Sequence, residues 1–388
     1  MKRTIYFDNA ATTFPKPRSV TDATVRTVTK FCANPGRSSH SLALRASEEV
    51  YECRHRLSQL FGCPDENAVF TLNATYAINL ALKSVLRRGD HVLISDVEHN
   101  AVLRPVSALA QRGLISYGIY RASADPDEIC KEITERITPK TALVCACHRS
   151  NVCNLLIPCG AVGELCRRHG LYFILDASQS AGTVPIDMER DRIDILCAPA
   201  HKGLYGIPGC GFALFGKDIS ADGVLSTFVE GGNGIASDSP FMPDLLPERL
   251  EAGTLPLPAI AALSAGIDFV TAMTPERLRR HEEALCSLAC KGLGGIRGIK
   301  LFTDQTGPTV LFSADGIPSE EMAAMLDGYG ICVRAGLHCA PLAHKRLGTP
   351  KSGAVRLSFG AFNTDDEVKY FLYAVSRIMT ERQKRRDR

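Results

Sequence analysis

Leu171-Tyr-Phe-Ile-Leu-Asp176-Ala-Ser-Gln179 is an apolar run that ends in a carboxylate, and this stretch decides the fold. Such a run predicts a buried strand that places Asp176 at the carboxyl edge of an α/β sheet, where ligands usually bind. The next apolar run, Ile193-Asp-Ile-Leu-Cys197, is followed by Ala200-His201-Lys202-Gly203. Lys202 therefore returns to the same edge, and the sequence predicts a carboxylate and a lysine side by side at a ligand site.

An aspartate and a lysine at this edge suit pyridoxal 5'-phosphate (PLP). The lysine amine can condense with the aldehyde of this cofactor, and the aspartate can keep the ring nitrogen protonated so that the ring accepts electrons. Taken alone, Asp176 and Lys202 fit a simpler alternative better, namely a buried aspartate at a strand end and an exposed surface lysine. The cofactor hypothesis therefore depends on what stands at the ends of the other strands.

The middle of the chain alternates between short apolar runs and helical stretches. One helix is predicted over residues 41–61, where apolar residues recur at helical spacing, and another between Pro158 and Gly170. Strand and helix in alternation predict an α/β fold with a mostly parallel seven-stranded sheet, covered by helices on both faces. The predicted strands are Ala68–Leu72, His91–Ser95, Leu114–Tyr117, Thr141–Cys145, Leu171–Asp176, Ile193–Cys197 and Gly211–Phe215.

The pattern changes after Leu255, where Leu255-Pro-Leu-Pro258 interrupts the chain before a long predicted helix. Further strands are expected near Pro308–Phe312 and Ala354–Ser358. The closing helix is expected to begin at a capping box formed by Thr364 and Glu367. We therefore predict a large α/β domain over residues 17–255 and a smaller α+β C-terminal domain over residues 256–388.

Composition excludes several classes of protein. The 388 residues are 45% hydrophobic, enough for a large core, and a net charge of +3 spread along the chain does not favour nucleic acid as a partner. The basic tail Arg382–Arg388 is expected to be a solvated end. No run is apolar enough to cross a membrane, and no export signal follows Met1. Fifteen cysteines without paired CxxC motifs predict a reducing, cytoplasmic setting and no metal site.

Two further motifs at strand ends fit a PLP site. Asn73-Ala74-Thr75 follows a strand and opens a helix, so that the N–H groups there and the Thr75 hydroxyl can hold a phosphate. The alternative is an ordinary N-cap. Glu98-His99-Asn100 follows the strand at His91–Ser95, where the His99 imidazole can lie on the cofactor ring and shuttle protons. The alternative is a surface histidine at a helix start.

Two amide side chains complete the predicted cofactor site. Gln179, one turn beyond Asp176, can donate a hydrogen bond to the phenolic oxygen of the cofactor. Asn151 follows the strand at Thr141–Cys145 and can reach the same oxygen or a substrate carboxylate. Each feature is weak alone, but together they stand at the carboxyl ends of different strands, and that coincidence favours the cofactor hypothesis.

In this order the motifs resemble those of the cysteine desulfurases, PLP-dependent enzymes of fold type I in the class V aminotransferase superfamily. The resemblance covers nearly the whole chain and is specific because ten motifs occur in sequence. They are Tyr6–Thr12, Asn34–Arg37, Asn73–Thr75, Glu98–Asn100, Ser150–Val152, Asp176–Gln179, His201-Lys202, Glu251–Thr254, Arg334–Cys339 and Arg356–Thr364.

The resemblance implies a homodimer whose active sites lie at the subunit interface. Thr254 of each subunit would reach the cofactor phosphate of the other, and residues 1–16 would pack with the small domain. This chain has Pro199 where the family usually has a serine or threonine that binds the phosphate. Phosphate binding is therefore expected to depend more on Ala74, Thr75 and His201, together with Thr254.

The resemblance also gives Cys339 a role as the nucleophile that takes sulfur from the substrate as a persulfide. Gly336 would give its loop freedom, and Arg334 and His338 are candidates to favour the thiolate. Without this context, Cys339 would be read as one more structural cysteine. Arg356 resembles the residue that clamps the substrate α-carboxylate; the alternative is a surface arginine on an edge strand.

We therefore expect a cysteine desulfurase that converts L-cysteine to L-alanine and passes sulfur to an acceptor protein, for iron–sulfur assembly or a thiolation pathway. One alternative is a selenocysteine lyase or another β-eliminating enzyme of the same fold. Another is a weakly active scaffold for a sulfur carrier. Asn154 replaces a family glycine in the turn after Asn151, and the neighbouring Cys153 adds a second thiol near the predicted site.

Overall fold

The computed structural model describes residues 4–36, 40–219, 225–303 and 307–386, so Arg37 of the Asn34–Arg37 motif and the last two residues of the basic tail lie outside the described residues. Helices α1 to α11 are Arg18–Lys30, Ser41–Phe61, Ala74–Val85, Asn100–Gln111, Pro126–Thr134, Cys159–Arg168, Leu257–Met273, Pro275–Gly294, Ser319–Gly328, Pro341–Arg346 and Asp365–Arg386. Strands β1 to β13 are Ile5–Tyr6, Ala68–Thr71, His91–Ser95, Ser116–Tyr120, Thr141–Cys147, Tyr172–Asp176, Ile195–Pro199, Gly211–Phe215, Ile299–Leu301, Thr309–Ala314, Ile331–Cys332, Arg334–Gly336 and Ala354–Ser358.

A seven-stranded sheet forms the centre of the molecule, in the order β2-β8-β7-β6-β5-β3-β4. The strands from β7 to β4 are parallel, whereas β8 is antiparallel to both of its neighbours. Alternate residues along each strand face opposite sides, so that Phe173 and Ile174 contribute to different apolar clusters. Helices α3 and α4 cover one face, and α2, α5, α6 and α7 cover the other. The predicted α/β fold with a mostly parallel sheet is confirmed.

Three strands of the central sheet differ from their predicted bounds by two residues or more. The run predicted from Leu114 supplies β4 only from Ser116 onward, because Leu114 closes the preceding helical turn through its N–H to the Leu109 carbonyl. β7 lies two residues later than predicted and ends at Pro199. β5 extends two residues further, to Cys147. This extension brings Cys147 to the carboxyl edge of the sheet, next to Asp176 in register.

The second sheet has the order β12-β13-β10-β9, with antiparallel neighbours throughout. β1 pairs in parallel with β11, and Ile5 and Phe7 join the apolar cluster of this part of the chain, so the N-terminal segment packs there. The predicted capping box of α11 is confirmed: the Thr364 N–H donates to Glu367, and the Glu367 N–H donates to the Thr364 hydroxyl.

Helix α7 lies after the predicted domain boundary at Leu255, and that boundary stays a prediction. It packs against α1 and α2 and buries Ile260 and Leu263 in a cluster beneath the central sheet. Its packing therefore belongs with the large domain rather than with the small one. Among the described residues, no single helix is long and apolar enough to cross a membrane; α7 and α8 reach that length only as a pair bent by 78°.

Candidate active site

The site lies at the carboxyl edge of the central sheet, where β5, β6 and β7 end. Asp176, the last residue of β6, is buried and is flanked in register by Cys147 of β5 and Cys197 of β7. Lys202 follows three residues after the end of β7. One cavity at this edge is lined by eight of the predicted site residues: Ala74, Thr75, His99, Asn151, Asp176, Gln179, His201 and Lys202.

The first turn of α3 forms one wall of the cavity. The Asn73 side chain caps the helix by accepting a 2.9 Å hydrogen bond from the Tyr76 N–H. The N–H groups of Ala74 and Thr75 are in the first turn, so the helix itself offers them no carbonyl acceptor. Gly211 makes this position possible, because a Cβ there would lie 2.6 Å from the Asn73 carbonyl carbon. The partial positive charge of the helix start therefore faces the cavity and suits an anion.

His99 caps α4, and this contact determines which of its ring nitrogens carries the proton. Its Nδ1 accepts a 3.0 Å hydrogen bond from the Ala101 N–H, so the ring proton is on Nε2. Burial lowers the pKa of His99 to about 4, although Asp176 opposes the shift. At neutral pH His99 is therefore an uncharged donor toward the cavity. A proton shuttle would need a different hydrogen-bond arrangement, and that role stays a prediction.

Two basic groups after β7 lose basicity through burial. Burial lowers the pKa of Lys202, and Asp176 partly offsets it. The amine is therefore closer to its neutral, nucleophilic form than a surface lysine would be. Burial also lowers the pKa of His201 to about 4, and its Nδ1 is a buried polar atom without a hydrogen-bond partner among the described residues.

Arg356 and Asn151 meet beside the cavity. The buried Arg356 guanidinium donates through Nη1 to the Asn151 carbonyl at 3.1 Å and through Nη2 to Asp8 Oδ1 at 2.9 Å. In the described part of the chain, Arg356 Nε and Asn151 Oδ1 are buried without a partner. An orphaned N–H on a guanidinium suits an anionic ligand such as a carboxylate.

The segment that carries Cys339 docks onto the start of α4. The Asn100 N–H donates to the Cys339 carbonyl at 2.7 Å, and Asn151 Nδ2 donates to the His338 carbonyl at 2.8 Å. Arg334 Nη2 lies 3.6 Å from Cys339 Sγ. These contacts bring Cys339 beside His99, although the two residues are far apart in the chain.

Comparisons with known proteins agree with this geometry. The model of the family described as Aminotransferase class-V matches residues 5–371. A probable cysteine desulfurase of Halobacterium salinarum is 31% identical over 384 residues, which cover 96% of this chain and 90% of that protein. This chain belongs to the class-V aminotransferase family, within its cysteine desulfurases. A probable cysteine desulfurase of Methanothermobacter thermautotrophicus is 29% identical over 94% of this chain and 92% of its own length.

Solved structures of this family have the same fold. The apo structure of a cysteine desulfurase from Thermococcus onnurineus NA1 superimposes with a TM-score of 0.89 at 28% identity, covering 97% of this chain and 95% of that one. The cysteine desulfurase CsdA of Escherichia coli gives a TM-score of 0.86 at 27% identity, with 96% and 94% covered. The recognition of the cysteine desulfurase family from ten sequence motifs is therefore confirmed.

The contacts within one chain bear on the predicted roles of three further residues of this desulfurase. Thr254 is exposed and does not line the cavity. Gln179 lines the cavity, but its Nε2 donates to the Ala10 carbonyl at 2.9 Å, which leaves one N–H for a ligand. His338 does not carry the charge expected to favour a thiolate, because burial lowers its pKa to about 3.

Sequence reasoning missed three groups at the desulfurase site. Cys147 lines the cavity, and its thiol donates to the Arg149 carbonyl; the sequence signal for this residue was the apolar run ending at Cys145, which continues as a strand for two more residues. Asp8 pairs with Arg356 and was noted only as part of the Tyr6–Thr12 motif. Glu98 is completely buried beneath the site and accepts hydrogen bonds from the Ser95 hydroxyl and the Cys147 N–H. Among the described residues, no cluster of His, Cys, Asp and Glu could hold a metal ion.

Proposed function

We propose that this chain is a PLP-dependent cysteine desulfurase that removes the sulfur of L-cysteine, leaves L-alanine and carries the sulfur on Cys339 as a persulfide. The observation that best supports this is the 2.7 Å hydrogen bond from the Asn100 N–H to the Cys339 carbonyl. It fixes a candidate nucleophile beside the cavity that contains Lys202 and Asp176. A binding protein without chemistry would have no need of a thiol at this position.

The residues present fit PLP. Lys202 can hold the aldehyde, Asp176 can accept a hydrogen bond from the ring nitrogen, and the start of α3 can hold the phosphate. The unpartnered His201 Nδ1 is a further polar atom that a bound group could satisfy. When bound, PLP would supply an electron sink that weakens the bond between the β-carbon and the sulfur of the substrate.

The protein supplies substrate orientation. Arg356 Nε–H and Asn151 Oδ1 are both buried without partners among the described residues, and the guanidinium can hold the α-carboxylate of an amino acid. The neutral His99 can donate a hydrogen bond from Nε2 to a group on the cavity side. Together they would hold L-cysteine with its side chain toward the segment of Cys339.

Cys339 accepts the sulfur in the proposed reaction. Its thiolate attacks the substrate sulfur, and a sulfur–sulfur bond forms as the bond from the β-carbon to sulfur breaks. The electron pair of the broken bond stays with carbon, which takes up a proton to give alanine. L-cysteine and the Cys339 thiol thus become L-alanine and a persulfide, and no external oxidant or reductant is needed.

The decisive experiment is a single-turnover assay of the PLP-loaded enzyme with L-cysteine, in which alanine and persulfide are measured together. We expect equal amounts of both products and a visible absorption band from the cofactor held on Lys202. The matched control is Lys202→Ala, which should lose both the band and the products. Alanine formation by wild type no greater than that by Lys202→Ala would refute the proposal.

We further propose that the enzyme is a cytoplasmic homodimer that passes sulfur to an acceptor protein. The dimer is supported by the exposed Thr254, which follows a firmly held segment: Glu251 is buried and forms an ion pair of 2.6 Å with Arg54. If each Thr254 serves the other subunit's phosphate, Thr254→Ala should weaken PLP binding without changing the mass measured by light scattering. A monomeric wild-type protein with full PLP affinity would contradict this arrangement.

A further inference from the structure

A chain of three buried side chains lies behind the segment that carries Cys339. His338 Nε2 is 3.3 Å from the Arg334 carbonyl oxygen, and His338 Nδ1 is 3.0 Å from His344 Nε2. His344 Nδ1 is in turn 2.8 Å from the Thr349 hydroxyl. The two imidazoles are stacked with their centres 5.3 Å apart, and His344 is completely buried.

The direction of each hydrogen bond in this series follows from the Arg334 end, because a carbonyl can only accept. Burial and the nearby Arg356 lower the pKa of both histidines, so each ring is neutral and has one N–H. The Arg334 carbonyl can only accept, so His338 carries its proton on Nε2 and accepts at Nδ1. His344 must therefore donate from Nε2, and its Nδ1 accepts the hydrogen of the Thr349 hydroxyl.

This series of hydrogen bonds begins at a backbone turn whose conformation is unfavourable. His338 and Cys339 are consecutive residues with φ of 50° and 56°, a left-handed conformation that is unfavourable for residues other than glycine. The backbone is held there by Asn151 and Asn100 at the two carbonyls. The His338 ring is buried, and its Nδ1 is anchored by His344.

We propose that His344 is a positioning residue for Cys339: its Nε2–H fixes the His338 ring and thereby holds the turn that presents the thiol beside Arg334. This role rests on the proposed function, since it concerns where the sulfur acceptor stands. His344 touches neither substrate nor cofactor. Its effect is transmitted through His338, whose two ring nitrogens are both engaged and which therefore cannot act as a base toward Cys339.

The test compares two substitutions of similar size in the PLP-loaded enzyme. His344→Gln retains an N–H near the Nε2 position, whereas His344→Leu fills the space without a donor and leaves His338 Nδ1 buried and unpaired. We expect His344→Leu to lower the turnover number roughly tenfold with little change in KM, because losing a buried hydrogen bond shifts the turn toward open states by about that factor. Hydrogen exchange of the peptide over residues 334–340 should accelerate to a similar extent. His344→Gln should retain most of the wild-type values.

A second pair of variants tests whether the Thr349 hydroxyl donates to His344 in this series of hydrogen bonds. Thr349→Ser retains the hydroxyl that donates to His344 Nδ1, whereas Thr349→Val has the same shape without it. Thr349→Val should accelerate exchange of the same peptide and lower turnover, and Thr349→Ser should not. This pair decides the question if His344→Leu does not fold.

Three outcomes would overturn the proposal: wild-type turnover and exchange in His344→Leu, equal losses in the Gln and Leu variants, or equal behaviour of the two Thr349 variants. Equal losses together with faster exchange throughout the protein would indicate a purely structural role. If wild type makes no alanine from L-cysteine, the proposed function fails, but the exchange measurements still decide whether His344 holds the turn.

Discussion

Arg334 and Arg356 stand directly opposite each other in the register of the antiparallel strands β12 and β13. Two like charges at such a position repel each other. Here they have separate partners, because Arg356 binds Asp8 at 2.9 Å while Arg334 reaches toward Cys339 Sγ at 3.6 Å. One strand pair thus places the candidate carboxylate clamp next to the candidate sulfur acceptor.

Arg356→Lys should weaken substrate binding without disturbing the cofactor. A lysine retains the positive charge but has no planar fork, and it cannot contact Asp8, the Asn151 carbonyl and a carboxylate together. We expect KM for L-cysteine to rise roughly tenfold, which corresponds to about 1.4 kcal/mol, with the visible spectrum of the enzyme unchanged. Arg377→Lys, on the exposed face of α11, is the matched control. An unchanged KM would exclude Arg356 as the clamp.

Asp176→Asn should separate cofactor binding from turnover. The variant has the same shape and can still accept the 2.9 Å hydrogen bond from the Ser178 N–H, so the strand end should remain intact. Without the negative charge, the ring nitrogen would not stay protonated and the electron sink would fail. We expect PLP binding to remain measurable by absorbance. Turnover should fall at least a hundredfold, the magnitude typical for the loss of a side chain that controls a proton during catalysis. Near-normal alanine formation would mean that another residue faces the ring nitrogen.

The sequence was sufficient to place those parts of the predicted site that follow directly after buried strands. The run ending in Asp176 and the segment before Lys202 each end at the sheet edge, and eight predicted residues meet in one cavity there. A buried parallel strand reads as an unbroken apolar run, so its carboxyl end can be located without knowledge of the rest of the fold.

The remaining features depend on contacts between distant segments, which no local pattern encodes. The Asp8–Arg356 pair joins the two ends of the chain, and the bond from Asn100 to Cys339 joins the start of α4 to the segment after β12. Short strands such as β12 are formed by pairing rather than by apolar runs, so they were not predicted. The charge state of His338 likewise depends on burial and on His344, neither of which is visible from neighbouring residues in the sequence.

Glu98 should make the stability of the protein depend on pH. Burial raises the pKa of this carboxyl from its ordinary value of 4.5 to about 8. Between these values the folded protein holds a proton that the unfolded chain has released, so the stabilisation is complete below about pH 4.5 and is lost as pH rises through about 8. Glu98→Gln can still accept the hydrogen bonds of Ser95 and Cys147 and has no charge to bury.

The urea midpoint of wild type should therefore fall between about pH 5 and about pH 8.5 by more than the midpoint of Glu98→Gln. Glu48→Gln, on the exposed side of α2, provides the control for a general loss of negative charge. Parallel pH profiles for wild type and Glu98→Gln would show that Glu98 is ionised in the folded protein at neutral pH.

Cys339→Ser should decide between sulfur transfer and simple elimination. Serine is a poor sulfur acceptor, so the spectral change on binding L-cysteine should remain while alanine formation falls at least a hundredfold. Selenocysteine can behave differently, because selenium leaves more readily and its release does not require a thiolate. Retained activity of Cys339→Ser toward selenocysteine alone would therefore favour the lyase alternative over a desulfurase.

The location of the sulfur completes this test. After one turnover with L-cysteine, peptide mass spectrometry should find the extra sulfur on Cys339 in wild type. Cys153→Ser is the matched control, since Cys153 is a second half-buried thiol near the site and should not be needed for alanine formation. Cys147 also lines the cavity, but burial raises the pKa of its thiol well above the ordinary value, so we expect it to react less readily. Extra sulfur on Cys147 or Cys153 instead, or wild-type alanine formation by Cys339→Ser, would show that the segment docked on α4 does not carry the acceptor.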